Sequence, residues 1–227
     1  MNHQRIFDSE MGELKDLILK MGIMVQESIQ RSVEALKKLD KQMAEAVVSD
    51  DNKIDQLELE IDEKSIQLVA LRQPEASDLR FLMTGMRISN DLERIGDMAV
   101  DIAERAIDLS DKPLLKPLID IPKMAKLAQE TVAMALDAFI NKDSGKVKEI
   151  RIKEKESDKL RDLVHEELVE IMTKDSSTVS RAIPLLLVSR HLERITDHAT
   201  NIGEEVVYMV EARVIKHGGT VGFEPGQ

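Results

Sequence analysis

The segment Leu92-Glu93-Arg94-Ile95-Gly96-Asp97 returns 100 residues later as Leu192-Glu193-Arg194-Ile195-Thr196-Asp197. The echo continues through Ala99 and Ala199, Ile102 and Ile202, and Glu104 and Glu204. A repeat of this reach in a chain of 227 residues means that one structural unit occurs twice, so the fold must be built from two similar halves. The copied positions include a polar pair, Glu-x-x-x-Asp, as well as apolar ones. Packing alone would keep only the apolar positions, so the polar pair is where function is to be sought.

Each half reads as helical. Aromatic residues make up 2% of the chain, with no Trp, one Tyr and four Phe, so the core must be packed from Leu, Ile, Val, Met and Ala. Apolar residues recur at spacings of three and four nearly throughout, which predicts six long helices over roughly 9–39, 40–72, 77–109, 122–141, 146–173 and 178–216. The first buries Leu14, Leu17, Ile18, Met21, Met24 and Val25. Asp40 suits an N-cap at the start of the second, and Gln73-Pro74-Glu75 ends it, because the residue before proline is pushed out of the α region. The third carries the heptad Ile88, Leu92, Ile95, Ala99, Ile102, Ala106 and Leu109. Asp143-Ser144-Gly145 reads as a turn, and Pro184 marks either a kink in the sixth helix or a later start to it. The stretch from Pro113 through Pro117 to Pro122 is the joint between halves. The expected fold is therefore all-α, two tandem three-helix bundles over about 1–112 and 113–217, with a flexible tail over about 218–227.

Composition narrows the chemistry. The chain has no Cys, which removes disulfides, thiolate metal sites and cysteine nucleophiles and fits a reducing compartment. No stretch is apolar enough for a membrane span or a signal core, so a cytoplasmic protein with no membrane insertion is expected. A net charge of −11 disfavours nucleic acid and anionic membrane as partners, and favours cations or basic protein surfaces. There is no Gly-rich phosphate loop and no nucleophile with a paired base, so the chain does not read as an enzyme.

The duplicated pair has partners. Asp51-Asn52-Lys53-Ile54-Asp55 precedes the turn in the first half, and Glu154-Lys155-Glu156-Ser157-Asp158 precedes the turn in the second. Residues four apart are neighbours on one helix face. If each helix pair folds back about its turn, Asp55 lies level with Glu93 and Asp51 with Asp97. Likewise Asp158 lies level with Glu193 and Glu154 with Asp197. Each hairpin then presents four carboxylates as a rectangle, on the face turned away from the Leu92/Ile95 seam. Asp101, Glu104 and Asp108 extend one stripe, and Glu58 and Asp62 the other, whereas Arg161 and His165 follow Asp158 in the second half.

Carboxylates gathered in one place repel one another unless something neutralises them. A hard cation with oxygen ligands does so, and a surface rectangle could hold several ions that then attract an anion. In a chain this charged, one Glu-x-x-x-Asp pair is better explained as a solvated face. Four pairs in matched register favour metal. Asp101 and Asn201, one turn beyond each motif, are candidate additional ligands. Arg94 and Arg194 fit surface ion pairs, His191 and His198 structural roles, and the twelve Met residues core filler.

These residues resemble the PhoU family of bacterial phosphate-uptake regulators. The resemblance lies in Phe7-Asp8, Leu14 and Met21-Gly22, Ile54-Asp55, Leu71-Arg72-Gln73-Pro74 followed by Asp78-Leu79-Arg80, the run from Asp91 to Asp97, and its second copy from Leu192 to Asp197 with Asn201-Ile202. It implies a cytoplasmic negative regulator that links a phosphate ABC transporter to a sensor histidine kinase. It also implies multinuclear metal clusters on Asp51, Asp55, Glu93 and Asp97, and on Glu154, Asp158, Glu193 and Asp197. Iron is the leading candidate, with manganese, magnesium and calcium as alternatives. Asp101 stands where the family often has Asn, and Thr196 where Gly is usual, so the two sites need not be equivalent. A carboxylate-bridged hydrolase or oxidase, and a metal-free acidic docking protein, are the competing readings. Homo-oligomerisation is left open.

Overall fold

The computed structural model describes residues 2–215 and 221–222. The first half contains α1 (Asn2–Lys38), α2 (Lys41–Asp50), α3 (Asn52–Arg72) and α4 (Ala76–Leu109). The second contains α5 (Asp120–Asn141), α6 (Val147–Lys174) and α7 (Val179–Glu211). Since α2 and α3 follow one another as a single interrupted rod, each half is a three-helix bundle, and the all-α duplicated architecture is the one expected.

The apolar periodicity places most of the core, although Leu17 and Met24 of α1 are only partly buried against it. Leu14, Ile18, Met21 and Val25 of α1 are fully buried, and so is every heptad position of α4 from Ile88 to Ala106, with Leu109 nearly so. One continuous core runs through both halves, from Phe7 to Met209. The bundles are therefore fused side by side. Their main seam is the antiparallel pair α4 and α7, backed by the pair α1 and α5. Gly22 permits the second contact, because a Cβ there would fall 2.2 Å from Leu136 Cδ1. The linker over 110–119 stays close to the body: Leu115 and Leu118 pack on the core, and Lys116 pairs with Glu167.

Several boundaries differ from expectation. The first helix begins at Asn2, well before Ser9. The rod expected over 40–72 is interrupted at Asp51. Asp40 caps α2, its carboxylate accepting from the Met43 N–H at 3.0 Å. Asp51 keeps helical dihedrals (φ −60°, ψ −34°), yet its carbonyl accepts from both Ile54 N–H at 2.7 Å and Asp55 N–H at 3.1 Å. The tighter i→i+3 bond marks a local 3₁₀-type distortion, a feature often found at functional positions.

Pro184 does not mark a later start: helix α7 begins at Val179 and continues without a break through this buried proline, which supplies no N–H to the ladder. It stops at Glu211 rather than 216, because Ala212 turns left-handed (φ 53°) and donates its N–H to the Tyr208 carbonyl. Arg213–Val214 (β1) then pairs antiparallel with Val221–Gly222 (β2). Of the tail expected to be flexible, Val221 and Gly222 are thus held in a short ladder. Residues 218–220 and 223–227 lie outside the described residues.

Candidate functional site

In the first half, the left-handed Gln73 (φ 47°) and Pro74 fold α4 back along α3. The register is the expected one: Asn90 Nδ2 donates to Glu58 Oε1 at 3.3 Å, which sets Glu93 beside Asp55 and Asp97 beside Asp51. Gly96 makes the closest approach possible. A Cβ on it would sit 3.0 Å from Asp51 Oδ1 and 3.3 Å from Ile54 Cδ1. The distorted turn and the glycine together seat the Asp51 carboxylate against α4.

The electrostatics record the crowding. Burial, then Asp55 and Asp97, push the Asp51 carboxyl up to about 6. Burial and Asp97 raise Glu93, with Glu58 and Asp55 adding and Arg94 opposing. Burial raises Asp97, with Asp55 and Asp101 adding against Arg94. Relief is slight: Arg94 stands 3.5 Å from both Glu93 and Asp97, on a half-exposed side chain. Glu93 Oε2 is buried and accepts no hydrogen bond. Such an oxygen carries a desolvation penalty that a cation or donor would remove.

The second half gathers Glu154, Asp158, Glu193 and Asp197 in the same way. Burial, then Glu193, Glu154 and Asp158, push Asp197 up to about 6, with His198 opposing. Burial raises Glu154, against a hydrogen bond from Thr200 and the charge of Arg151. Here, however, Arg161 reaches into the group. Its Nη1 lies 2.5 Å from Glu193 Oε1 and 3.4 Å from Asp158 Oδ1, and its Nε and Nη2 hold Asp162 at 3.0 and 2.8 Å. The Gly96/Ile54 contact is replaced by Thr196 and Ser157, whose hydroxyls lie 3.3 Å apart.

Eight of the ten acids and amides singled out in the sequence thus meet in two groups of four. The other two stand at the margins. Asp101 is half exposed, with Oδ2 at 3.4 Å from His191 Nδ1 of the opposite half. Asn201 is exposed, and no described contact joins it to Glu154, Asp158, Glu193 or Asp197. His198 Nδ1 lies 2.8 Å from Asp91 Oδ1, and Arg87 pairs with the buried Glu205 at 2.8 Å. The two motif histidines are therefore part of the α4–α7 seam. This polar seam was not visible in the sequence, since nothing local pairs residues so far apart.

Oxygen donors only, at raised carboxylates around an unsatisfied buried oxygen, are the chemistry that suits a hard cation, and the first group offers that donor set. The second is already partly neutralised by Arg161. Among the described residues, no group of three or more acidic or imidazole side chains is placed so as to hold a metal ion.

Comparison with known proteins fits this duplicated geometry. The PhoU domain model matches residues 18–106 and again 121–206, one match on each side of the linker. The chain belongs to the PhoU family. Among its relatives is the phosphate-specific transport system accessory protein PhoU homolog of Aquifex aeolicus, 40% identical over 92% of this chain and 94% of that one. The homolog of the same name from Clostridium acetobutylicum is 35% identical over 93% and 97%. The crystal structure of PhoU from Pseudomonas aeruginosa superposes with a TM-score of 0.86 at 35% identity, covering 91% of this chain and 99% of that one. That of the phosphate transport system regulatory protein PhoU from Streptococcus pneumoniae gives 0.83 at 31%, covering 96% and 100%.

Proposed function

We propose that this chain is a metal-binding accessory regulator of phosphate uptake. It acts in the cytoplasm without enzymatic turnover, and it restrains the phosphate-starvation response by linking a phosphate ABC transporter to a sensor histidine kinase. One observation carries the metal assignment: Asp51, Asp55, Glu93 and Asp97 share one face, with Asp51 held near 6 and a buried Glu93 oxygen that accepts no hydrogen bond, its nearest cation being Arg94 at 3.5 Å. Support for the regulatory role comes from family membership and from relatives named as accessory proteins of phosphate-specific transport. Among the described residues no helix is long and apolar enough to cross a membrane, which suits a protein recruited to a transporter rather than inserted beside it.

In this role the first-half acids hold the cation, iron or another hard metal, and the cation supplies positive charge on an otherwise acidic face. Glu93 and Asp97 come from α4 and Asp51 and Asp55 from the α2–α3 rod. Occupancy would therefore cross-link the hairpin and fix the surface offered to partners. The test is elemental analysis and calorimetry on the purified protein, with iron, manganese, magnesium and calcium in turn. Glu93→Ala/Asp97→Ala is expected to abolish binding; unchanged affinity for every metal sinks the metal assignment. Pull-down of the transporter ATPase and the kinase, with and without chelator, tests the linkage. Robust phosphatase or oxidase turnover by metal-loaded protein would replace the adaptor with an enzyme.

The Arg161 contacts favour a second reading for the second half alone, as an acidic docking face that needs no metal. Partner capture that survives exhaustive chelation and is lost in Glu193→Ala/Asp197→Ala would establish it.

A further inference from the structure

We propose that the hollow between the outer faces of α6 and α7 binds a phosphoryl oxyanion, held by Arg190 and Arg194 with His165. The hollow encloses about 550 Å³ and is lined by Arg161, His165, Arg190 and Arg194 together with Asp162, Glu193 and Asp197. Arg161 is spent on acids, since its nitrogens engage Asp162, Glu193 and Asp158. Arg190 and Arg194 are different. Among the described residues neither makes an ion pair, and both are exposed. Spaced four apart on α7, they project from one face. Two free guanidinium groups then stand against one unpaired carboxylate, that of Asp197. The three arginines and three carboxylates of the lining balance, so the hollow is neutral in a chain of net charge −11, and its two unpaired guanidinium groups are the donors left for a ligand.

The other half shows how this came about. Arg94, the repeat counterpart of Arg194, is drawn down onto Glu93 and Asp97 at 3.5 Å each. In the second half Arg161 takes over that contact with Glu193, and Arg194 is released. At the positions of Arg161, His165 and Arg190 the first half has Glu58, Asp62 and Asn90, so no such frame exists there. Across the hollow, His165 Nε2 is buried and has no hydrogen-bond partner. An oxyanion oxygen would accept from it in the tautomer that carries the proton on Nε2. Guanidinium forks match tetrahedral phosphoryl oxygens in charge and geometry, and each such bond is worth more than a neutral one. The same chemistry is offered by free inorganic phosphate and by a phosphorylated side chain.

The assignment rests on neither the metal nor the regulatory role, so it is tested on chelator-stripped protein. Inorganic phosphate and a phosphoserine peptide are titrated separately by calorimetry into wild type, Arg190→Gln/Arg194→Gln and the first-half control Arg94→Gln. Wild type is expected to bind at least one of the two saturably. The double variant should weaken that binding by about tenfold or more, and the control should leave it unchanged. The peptide arm alone responding assigns a phosphorylated partner, and the phosphate arm responding assigns the free ion. Should the double variant melt early, Arg190→Gln alone is titrated. Absence of saturable binding to both, binding that the double variant retains, or binding that appears only after metal is added and ignores Arg190 and Arg194, overturns the proposal.

Discussion

The two hairpins share a backbone plan and four acids each, yet they solve the problem of crowded carboxylates in opposite ways. In the first, only the half-exposed Arg94 relieves the repulsion, while Glu58 and Asp55 press on Glu93, and Asp101 on Asp97. In the second, Arg161 stands at the position of Glu58 and reaches Glu193 at 2.5 Å. One half keeps its charge available for an outside cation, while the other carries an internal one. Duplication preserved the frame, and single substitutions beside it changed what each copy can bind.

Exchanging those substitutions gives the largest expected effect. Glu58→Arg removes a negative charge and adds a positive one beside Glu93. Against a divalent ion roughly 6 Å away, with near-aqueous screening, that is worth about 3 kcal/mol, or about a hundredfold in affinity. Calorimetric titration with manganese should show this loss at the first site. The reciprocal Arg161→Glu should strengthen metal binding by the second half. Equal affinities for Glu58→Arg and wild type would mean that the contrast between halves has no bearing on metal.

The contrast was partly legible beforehand. The duplication, the heptad of α4 and the fold-back about Pro74 all follow from local spacing, and the Asn90–Glu58 bond confirms the register. Arg161 and His165 could be seen to interrupt the acidic stripe. What the spacing could not show is reach: that Arg161 bends onto Glu193, or that α2 and α3 part at Asp51. Both depend on packing between helices rather than within one. The α4–α7 seam was hidden for a related reason. An apolar stripe reveals which face is buried, but not which distant helix buries it, so Asp91–His198 and Arg87–Glu205 had no signal in the sequence.

A smaller effect tests the packing behind the contrast. Gly96 and Ile54 in the first half occupy the places of Thr196 and Ser157 in the second. Gly96→Thr alone puts a Cβ 3.0 Å from Asp51 Oδ1 and 3.3 Å from Ile54 Cδ1, so overpacking should destabilise by about 1–3 kcal/mol in urea denaturation. Adding Ile54→Ser imports the second half's own solution and should recover part of that loss, even though it removes a buried apolar side chain. A double variant less stable than the sum of the two single changes would show that the pairs are not interchangeable.

The smallest effect is the dependence on pH, and its sign follows from burial. Asp51 is held at about 6, above the ordinary aspartate value of 3.8. The native state of the metal-free protein therefore binds this proton more tightly than the unfolded chain does. Its contribution to stability is full below about pH 4, falls as pH rises through about 6, and is gone by about pH 7. A raise of this size corresponds to about 3 kcal/mol for a fully buried group, and to about 1–2 kcal/mol once partial exposure is allowed for. Surface carboxylates held low by lysine or arginine, such as Glu34 and Asp50, act in the opposite sense, so the useful quantity is a difference between variants. Asp51→Asn should match stripped wild type near pH 4.5 and exceed it by about 1–2 kcal/mol near pH 7.5. Asp197→Asn tests the second half, where Arg161 shields Glu193 and Asp158 but makes no contact with Asp197. Because Asp197 is also held at about 6, it should show the same trend. If Asp51→Asn gives a gap that shrinks with pH, the first-half acids are not strained in the absence of metal, and the electrostatic reason for a cation there disappears.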